Sequence, residues 1–349
     1  MADKGAGLRP GTTVDELCGL SAAEAARRLA EGSLTAQEMV RACLARIRER
    51  DPQVQAWAYL DEDYALGQAR RLDEWRAAGH GIGPLHGVPV ALKDIIDTRD
   101  MPTCNGTPLH EGRRARSDAA IVAQLRQAGA VILGKTVTAE LAVYAPGKTR
   151  NPHDPERTPG GSSSGSAAAV ATGMVPLALG TQTAGSIIRP ASYCGIFGFK
   201  PTHGTISRTG VLTQAPPLDT VGTFARSVED VALLADAISA YDEKDPDMRP
   251  RSRGSLRATA AGTPAAQPVL AFVKTAAWGE HAEDATKAAF AELTEALGDQ
   301  CDEVDLPDVF QRGWTWQRML QVAGIAKHYG PLVERGPEQA SEIIREMIA

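Results

Sequence analysis

Between about residues 88 and 237, short apolar runs alternate with helical stretches, and this alternation restricts the fold more than any other feature of the chain. Val88, Val90 and Leu92 make a strand pattern bounded by Gly and Pro signals. Ser117 is placed to cap a helix reaching about Ala128, and residues 130–133 read as a buried strand. Residues 165–175 form a helix of small side chains, which packs closely against a neighbour. Residues 177–179 lead as a strand into a polar turn at 180–185, and Ser227 caps a helix carrying Val231, Leu233, Leu234 and Ala237. Strand and helix in alternation predict an α/β fold with a mostly parallel sheet.

A helical region, residues 20–80, precedes this core. Ser21 with Glu24 and Thr35 with Glu38 have capping-box spacing, Val40, Cys43, Leu44 and Ile47 recur at helical spacing, and Asp51-Pro52 ends that helix. A third helix runs from Asp61 to about Ala77. Residues 250–268, rich in Arg, Ala, Gly, Ser, Thr and Pro, read as a surface linker after a core spanning 83–240. Strand, helix and strand follow at 269–273, 283–297 and 301–306. The chain stops at Ala349 inside a helical pattern with Ile343, Ile344, Met347 and Ile348, so residues 1–349 read as one domain that is incomplete at its C-terminus.

Composition narrows the function. Hydrophobic residues are 43% and aromatics only 5%, so the core is aliphatic, with much Ala and Gly at its contacts. The net charge of −6 argues against nucleic acid as a partner. Five widely spaced cysteines, Cys18, Cys43, Cys104, Cys194 and Cys301, form neither a disulfide framework nor a zinc ribbon and point to a reducing, cytoplasmic setting. The polar residues 1–19 have no apolar core of a signal peptide, and no apolar stretch is long enough to cross a bilayer. The seven histidines include no pair at i, i+4 and no H-E-x-x-H, so no metal site is expected. Gly161-Ser162-Ser163-Ser164-Gly165 satisfies G-x-S-x-G, but a polar loop rather than a strand precedes it, against a nucleophile elbow. The same loop lacks the Gly-Lys-Ser/Thr of a phosphate cradle.

Three further segments carry chemistry. Gly87-Val88-Pro89-Val90-Ala91-Leu92-Lys93-Asp94 ends an apolar strand on Lys93, where a buried ammonium is costly unless paired or neutralised. Pro159-Gly160-Gly161-Ser162-Ser163-Ser164-Gly165-Ser166 follows, then Gly180-Thr181-Gln182-Thr183-Ala184-Gly185-Ser186-Ile187-Ile188-Arg189-Pro190. In this order, with Asn151-Pro152, Cys194-Gly195, Gly198-Phe199-Lys200-Pro201-Thr202 and Leu218-Asp219-Thr220-Val221-Gly222, they resemble the amidase signature family from about Leu20 to about Ile238.

The resemblance implies a mixed, mostly parallel central sheet covered by helices on both faces. It also implies hydrolysis of a carbon–nitrogen amide bond in a small-molecule substrate, with no metal and no organic cofactor. Homo-oligomers are left open. Three catalytic residues carry over: Lys93, Ser162 after a cis peptide, and Ser186 as nucleophile. The backbone N–H groups of Thr183, Ala184, Gly185 and Ser186 would form the oxyanion hole, and Arg189 is a candidate for holding a substrate carboxylate. A Ser hydroxyl needs a base, and with no His placed to serve, a neutral Lys must. Bringing a lysine from about 10.4 to pH 7–8 requires a fall of about three units, roughly 4 kcal/mol favouring the neutral form. The sequence departs from the family's commonest wording at two positions. Ala184 replaces a Gly, which would be strained at positive φ, and Gln182 replaces the Asp of many members, which weighs against the alternative of an amidotransferase component acting on charged tRNA. A catalytically silent binding protein is the other alternative.

Overall fold

In a computed structural model, which describes residues 7–9, 11–252 and 254–349, six strands form one sheet. They are β1 (Trp57–Leu60), β2 (Pro89–Lys93), β3 (Val131–Thr136), β4 (Leu177–Gln182), β5 (Phe197–Phe199) and β6 (Thr220–Ala225), in the order β1-β3-β2-β4-β6-β5. β3, β2 and β4 are mutually parallel, while β1 on β3, β6 on β4 and β5 on β6 are antiparallel. Four strands, β2 to β5, therefore point one way, and β1 and β6 the other. This is the expected α/β class with a mixed, mostly parallel sheet.

Every residue of β2, β3, β4 and β6 is buried, as strands covered on both faces must be. The capping signatures act as their spacing predicts. Ser21 and Thr35 accept from the N–H groups of Glu24 and Glu38, and Ser227 from that of Asp230. The helices Ala22–Glu31, Ala36–Val54, Glu62–Ala77 and Val228–Ala237 begin beside their caps.

The small-residue helix, Ser164–Ala171, is buried on nearly all sides. Its size is dictated by what it touches. A Cβ on Gly165 would stand 2.3 Å from the Ala56 carbonyl oxygen and 2.5 Å from the Val137 nitrogen. A Cβ on Gly180 would meet the Phe224 ring at 2.6 Å. Helix and sheet approach within backbone contact here.

Several boundaries differ from expectation. Pro52 does not end its helix. The helix runs to Val54 because Pro52 forfeits only one hydrogen bond in the last turn, and left-handed Gln55 closes the helix by donating to the Asp51 carbonyl at 2.8 Å. Ser117 caps nothing. The helix Ala120–Gln127 starts after Ala119, whose N–H donates to the Asp97 carbonyl, and Asp118 is held by the Arg99 N–H and the Arg126 side chain. The small-residue helix stops at Ala171, where the Thr172 hydroxyl donates back to Ala168. β4 continues through Gln182, beyond the expected turn at 180, because its ladder to β6 persists to Gln182–Thr220.

Within 250–268 the exposed segment contains a helix, Leu256–Ala261, capped by Ser255. Arg253 of that segment, and residues 1–6 and 10 of the polar N-terminal stretch, lie outside the described residues. Beyond it, β7 (Leu270–Lys274) and β8 (Cys301–Asp305) pair in parallel around the helix Asp284–Leu297. A long helix, Gly313–Val333, packs Ile325, Tyr329 and Val333 against Leu141 and Val143, and Ile344 of the capped helix Glu342–Ile348 joins them. Among the described residues no helix is long and apolar enough to cross a membrane.

Candidate active site

β2 delivers Lys93 to the centre of the sheet with no exposed surface. Its Nζ donates to the Ser162 hydroxyl at 2.8 Å and to the Thr181 hydroxyl at 3.0 Å, and no carboxylate among the described residues is bonded to it. Burial pushes the ammonium down to about 7, with nearby Arg189 pushing the same way and Asp219 opposing. An amine in that range is neutral in a large fraction of molecules near neutral pH and is available as a base.

Ser162 follows a cis peptide from Gly161 and is 1% exposed. Its backbone carbonyl accepts from the Ala139 N–H at 3.0 Å. The other serines of the run serve the scaffold. Ser163 donates to the Thr181 carbonyl, Ser164 to that of Val137, and Ser166 to that of Leu179. Only Ser162 is left to meet the lysine.

Ser186 stands at the end of the turn that leaves β4 and is 7% exposed. Its hydroxyl has no hydrogen-bond partner among the described residues, so the structure joins Lys93 to Ser162 and leaves Ser186 unbonded to either. The backbone N–H groups of Thr183, Ala184, Gly185 and Ser186 likewise have no acceptor among the described residues. Neither Ala184 nor Gly185 is at positive φ, so the Ala in place of Gly carries no strain of that kind. Gln182 sets the turn's far side, its Oε1 accepting from the N–H groups of Ile187 at 2.9 Å and Ile188 at 3.0 Å. A neutral carboxamide thus does the accepting where an Asp was the alternative.

Arg189 is engaged within the protein. Its Nε and Nη2 both donate to the Gly161 carbonyl, at 3.0 and 2.8 Å, so the guanidinium clamps the Ser162 loop to the helix that follows Ser186. Two cavities flank the site. One, of about 330 Å³, is lined by Thr181, Thr183, Gln214 and Asp219 among others. The other, of about 210 Å³, is lined by Tyr144, Gly160, Gly161, Arg189 and Tyr193 among others. Among the described residues no group of three or more His, Cys, Asp or Glu is placed to hold a metal ion.

Two groups here escape sequence reasoning. By composition Thr181 belongs to a turn, although its place one residue after Gly180 on a strand paired to β2 puts it beside Lys93. Lys135, on the neighbouring β3, is a second buried lysine. Its Nζ donates to the Ile96 carbonyl at 2.7 Å and the Thr103 hydroxyl at 2.6 Å, and burial takes it to about 8. The Lys in Gly134-Lys135-Thr136, inside an otherwise apolar strand, is the signal that could have found it.

The Amidase family model matches residues 38–325. The chain is 50% identical over 236 residues to a glutamyl-tRNA(Gln) amidotransferase subunit of Thermobifida fusca, covering 66% of this chain and 47% of that protein. It is 42% identical over 263 residues to the same-named subunit of Chloroflexus aurantiacus, covering 71% and 54%. The chain therefore spans about half the length of the curated relatives it matches. Among solved structures, the native peptide amidase of Stenotrophomonas maltophilia superposes with a TM-score of 0.79 at 30% identity, covering 94% of this chain and 75% of that one. A 6-aminohexanoate cyclic dimer hydrolase gives 0.79 at 29%, covering 95% and 71%. A chain described with a vestigial protein complex and the origins of an s-triazine catabolic enzyme gives 0.85 at 31%, covering 94% and 73%.

Proposed function

Because the chain belongs to the Amidase family, with its model matched over residues 38–325, we propose that it hydrolyses a carbon–nitrogen amide bond of a small molecule through an acyl-enzyme on Ser186. The observation that carries this is the buried Lys93, bonded to Ser162 at 2.8 Å and held near neutrality. Neutral Lys93 takes the proton of Ser162, and Ser162 takes that of Ser186 as its Oγ attacks the carbonyl carbon. The unengaged N–H groups of residues 183–186 receive the developing oxyanion, each such donor being worth about 3 kcal/mol. The proton returns through Ser162 to the leaving nitrogen as the C–N bond breaks. Water then attacks the ester by the same relay, releasing the acid and restoring Ser186. No step calls for a metal or cofactor.

A second reading, one component of an amidotransferase, has the names of the curated relatives in its favour. Gln182 and the acidic net charge of −6 favour the hydrolase. Labelling with a fluorophosphonate, located by mass spectrometry, tests the nucleophile. We expect label on Ser186 in the wild type and none in Ser186→Ala. Label elsewhere, or amide turnover surviving in Ser186→Ala, overturns the assignment. Co-purification of a second chain with glutaminase activity would favour the transferase.

A further inference from the structure

The carboxylate that faces the site is Asp219, at the entry to β6. Its Oδ1 accepts from the Thr183 hydroxyl at 2.6 Å, and its Oδ2 accepts from the N–H groups of Gln214 at 2.8 Å and Ala215 at 2.9 Å. Thr183 begins the turn that carries Ser186, and Gln214 lines the larger cavity. One side chain therefore ties the nucleophile's turn to the wall of the adjoining cavity. The far side of the turn is held by Gln182 and by the Arg189 N–H donating to the Gly185 carbonyl at 2.8 Å, while none of the turn's own N–H groups from Thr183 to Ser186 is engaged among the described residues, so its near side leans on the Thr183–Asp219 bond. We infer that Asp219 is a positioning residue of this centre, holding the Ser186 turn in place through Thr183 and setting its carboxylate in the cavity that Thr181, a hydrogen-bond partner of Lys93, also lines.

This rests on the amidase reading for its catalytic consequence, but not for its electrostatic one. Among the described residues Asp219 favours the Lys93 ammonium and Arg189 opposes it, while the atoms bonded to it, the Ser162 and Thr181 hydroxyls, are neutral. Removing the Asp219 charge therefore lowers the pH at which Lys93 takes up its proton. If Asp219 only shaped the loop at 213–216, no such displacement would follow.

The test uses the full chain and three variants. Thr183→Val breaks the tether and keeps the charge, Thr183→Ser restores the tether, and Asp219→Asn removes the charge. Lys93 is titrated by NMR on lysine-labelled protein, its signal assigned from Lys93→Met, and Ser186 reactivity is read as the rate of fluorophosphonate labelling. We expect Asp219→Asn to lower the Lys93 midpoint by about 0.5 pH unit or more. We expect Thr183→Val to slow labelling about tenfold, as for a mispositioned reacting group, and Thr183→Ser to restore it. An unmoved midpoint in Asp219→Asn overturns the inference, as does wild-type labelling in Thr183→Val. If the wild type itself takes no label at Ser186, the amidase reading falls, and the Lys93 midpoint still decides the role of Asp219.

Discussion

The β2–β3 pair of the six-stranded sheet and the β7–β8 pair are each two parallel strands joined through a helix, yet the two sheets differ in cover. In the large sheet β2, β3, β4 and β6 are buried throughout, down to a lysine with no exposed surface. In the small one no residue of either strand is fully buried, and Val304 is 40% exposed. Large apolar side chains stand open on the helix between its two strands, Phe290 and Leu293 among them. Burial is what perturbs an amine and fixes a hydroxyl beside it, and the first sheet buries Lys93 completely where the second leaves the side chain of Lys274 41% exposed.

That contrast can be broken in several ways. The largest effect belongs to the proposed nucleophile. Ser186→Ala should reduce amide turnover by about 10³-fold or more, leaving the melting temperature near that of the wild type. If turnover persists, the buried sheet is not where the reaction occurs. Next comes packing. Gly165→Val places carbon against two backbone atoms that no side-chain rotation can move, and should cost about 3 kcal/mol or prevent folding, read by denaturant titration.

Lys93→Met should stabilise the fold while abolishing activity. The native-state lysine titrates near 7 and the unfolded one near 10.5, so the unfolded chain binds more protons between those values and wild-type stability rises with pH across that window. The gain from Lys93→Met should therefore be largest below pH 7, about 2–5 kcal/mol, and shrink toward pH 10. A gain independent of pH would mean that the amine bears no burial penalty. By the same titration, the rate of Ser186 labelling should climb as pH rises through about 7. The smallest effect is expected in the second sheet, where Val304→Thr should change stability by less than about 0.5 kcal/mol. A large loss there would erase the contrast.

How much of this was legible depended on whether a signal was local. The capped helices were readable because Ser21, Thr35 and Ser227 bond within three residues of themselves. Lys93 was readable because an ionisable group at the end of an apolar strand is conspicuous. The end of β4 was not, because Thr181 and Gln182 are polar for the sake of the site and of the next turn, and polarity alone reads as a loop. Asp219 appeared only as part of a family phrase, since its partners Thr183 and Gln214 come together only when β6 pairs with β4. By sequence Arg189 is a candidate for holding substrate. Within the protein its partner is the carbonyl beside the cis bond, a contact no linear spacing announces.

The Arg189 clamp has a consequence for inhibitors. A ligand whose carboxylate took the Nε–Nη2 edge of that guanidinium would displace the Gly161 carbonyl from two hydrogen bonds and release the loop that presents Ser162, whereas Nη1 takes no part in the clamp. Affinity gained from the new ion pair would be offset by disorder introduced at the bonded Lys93–Ser162 pair. Compounds that leave the clamp intact and take their contacts from the Thr183–Asp219 side would keep the site ordered around them.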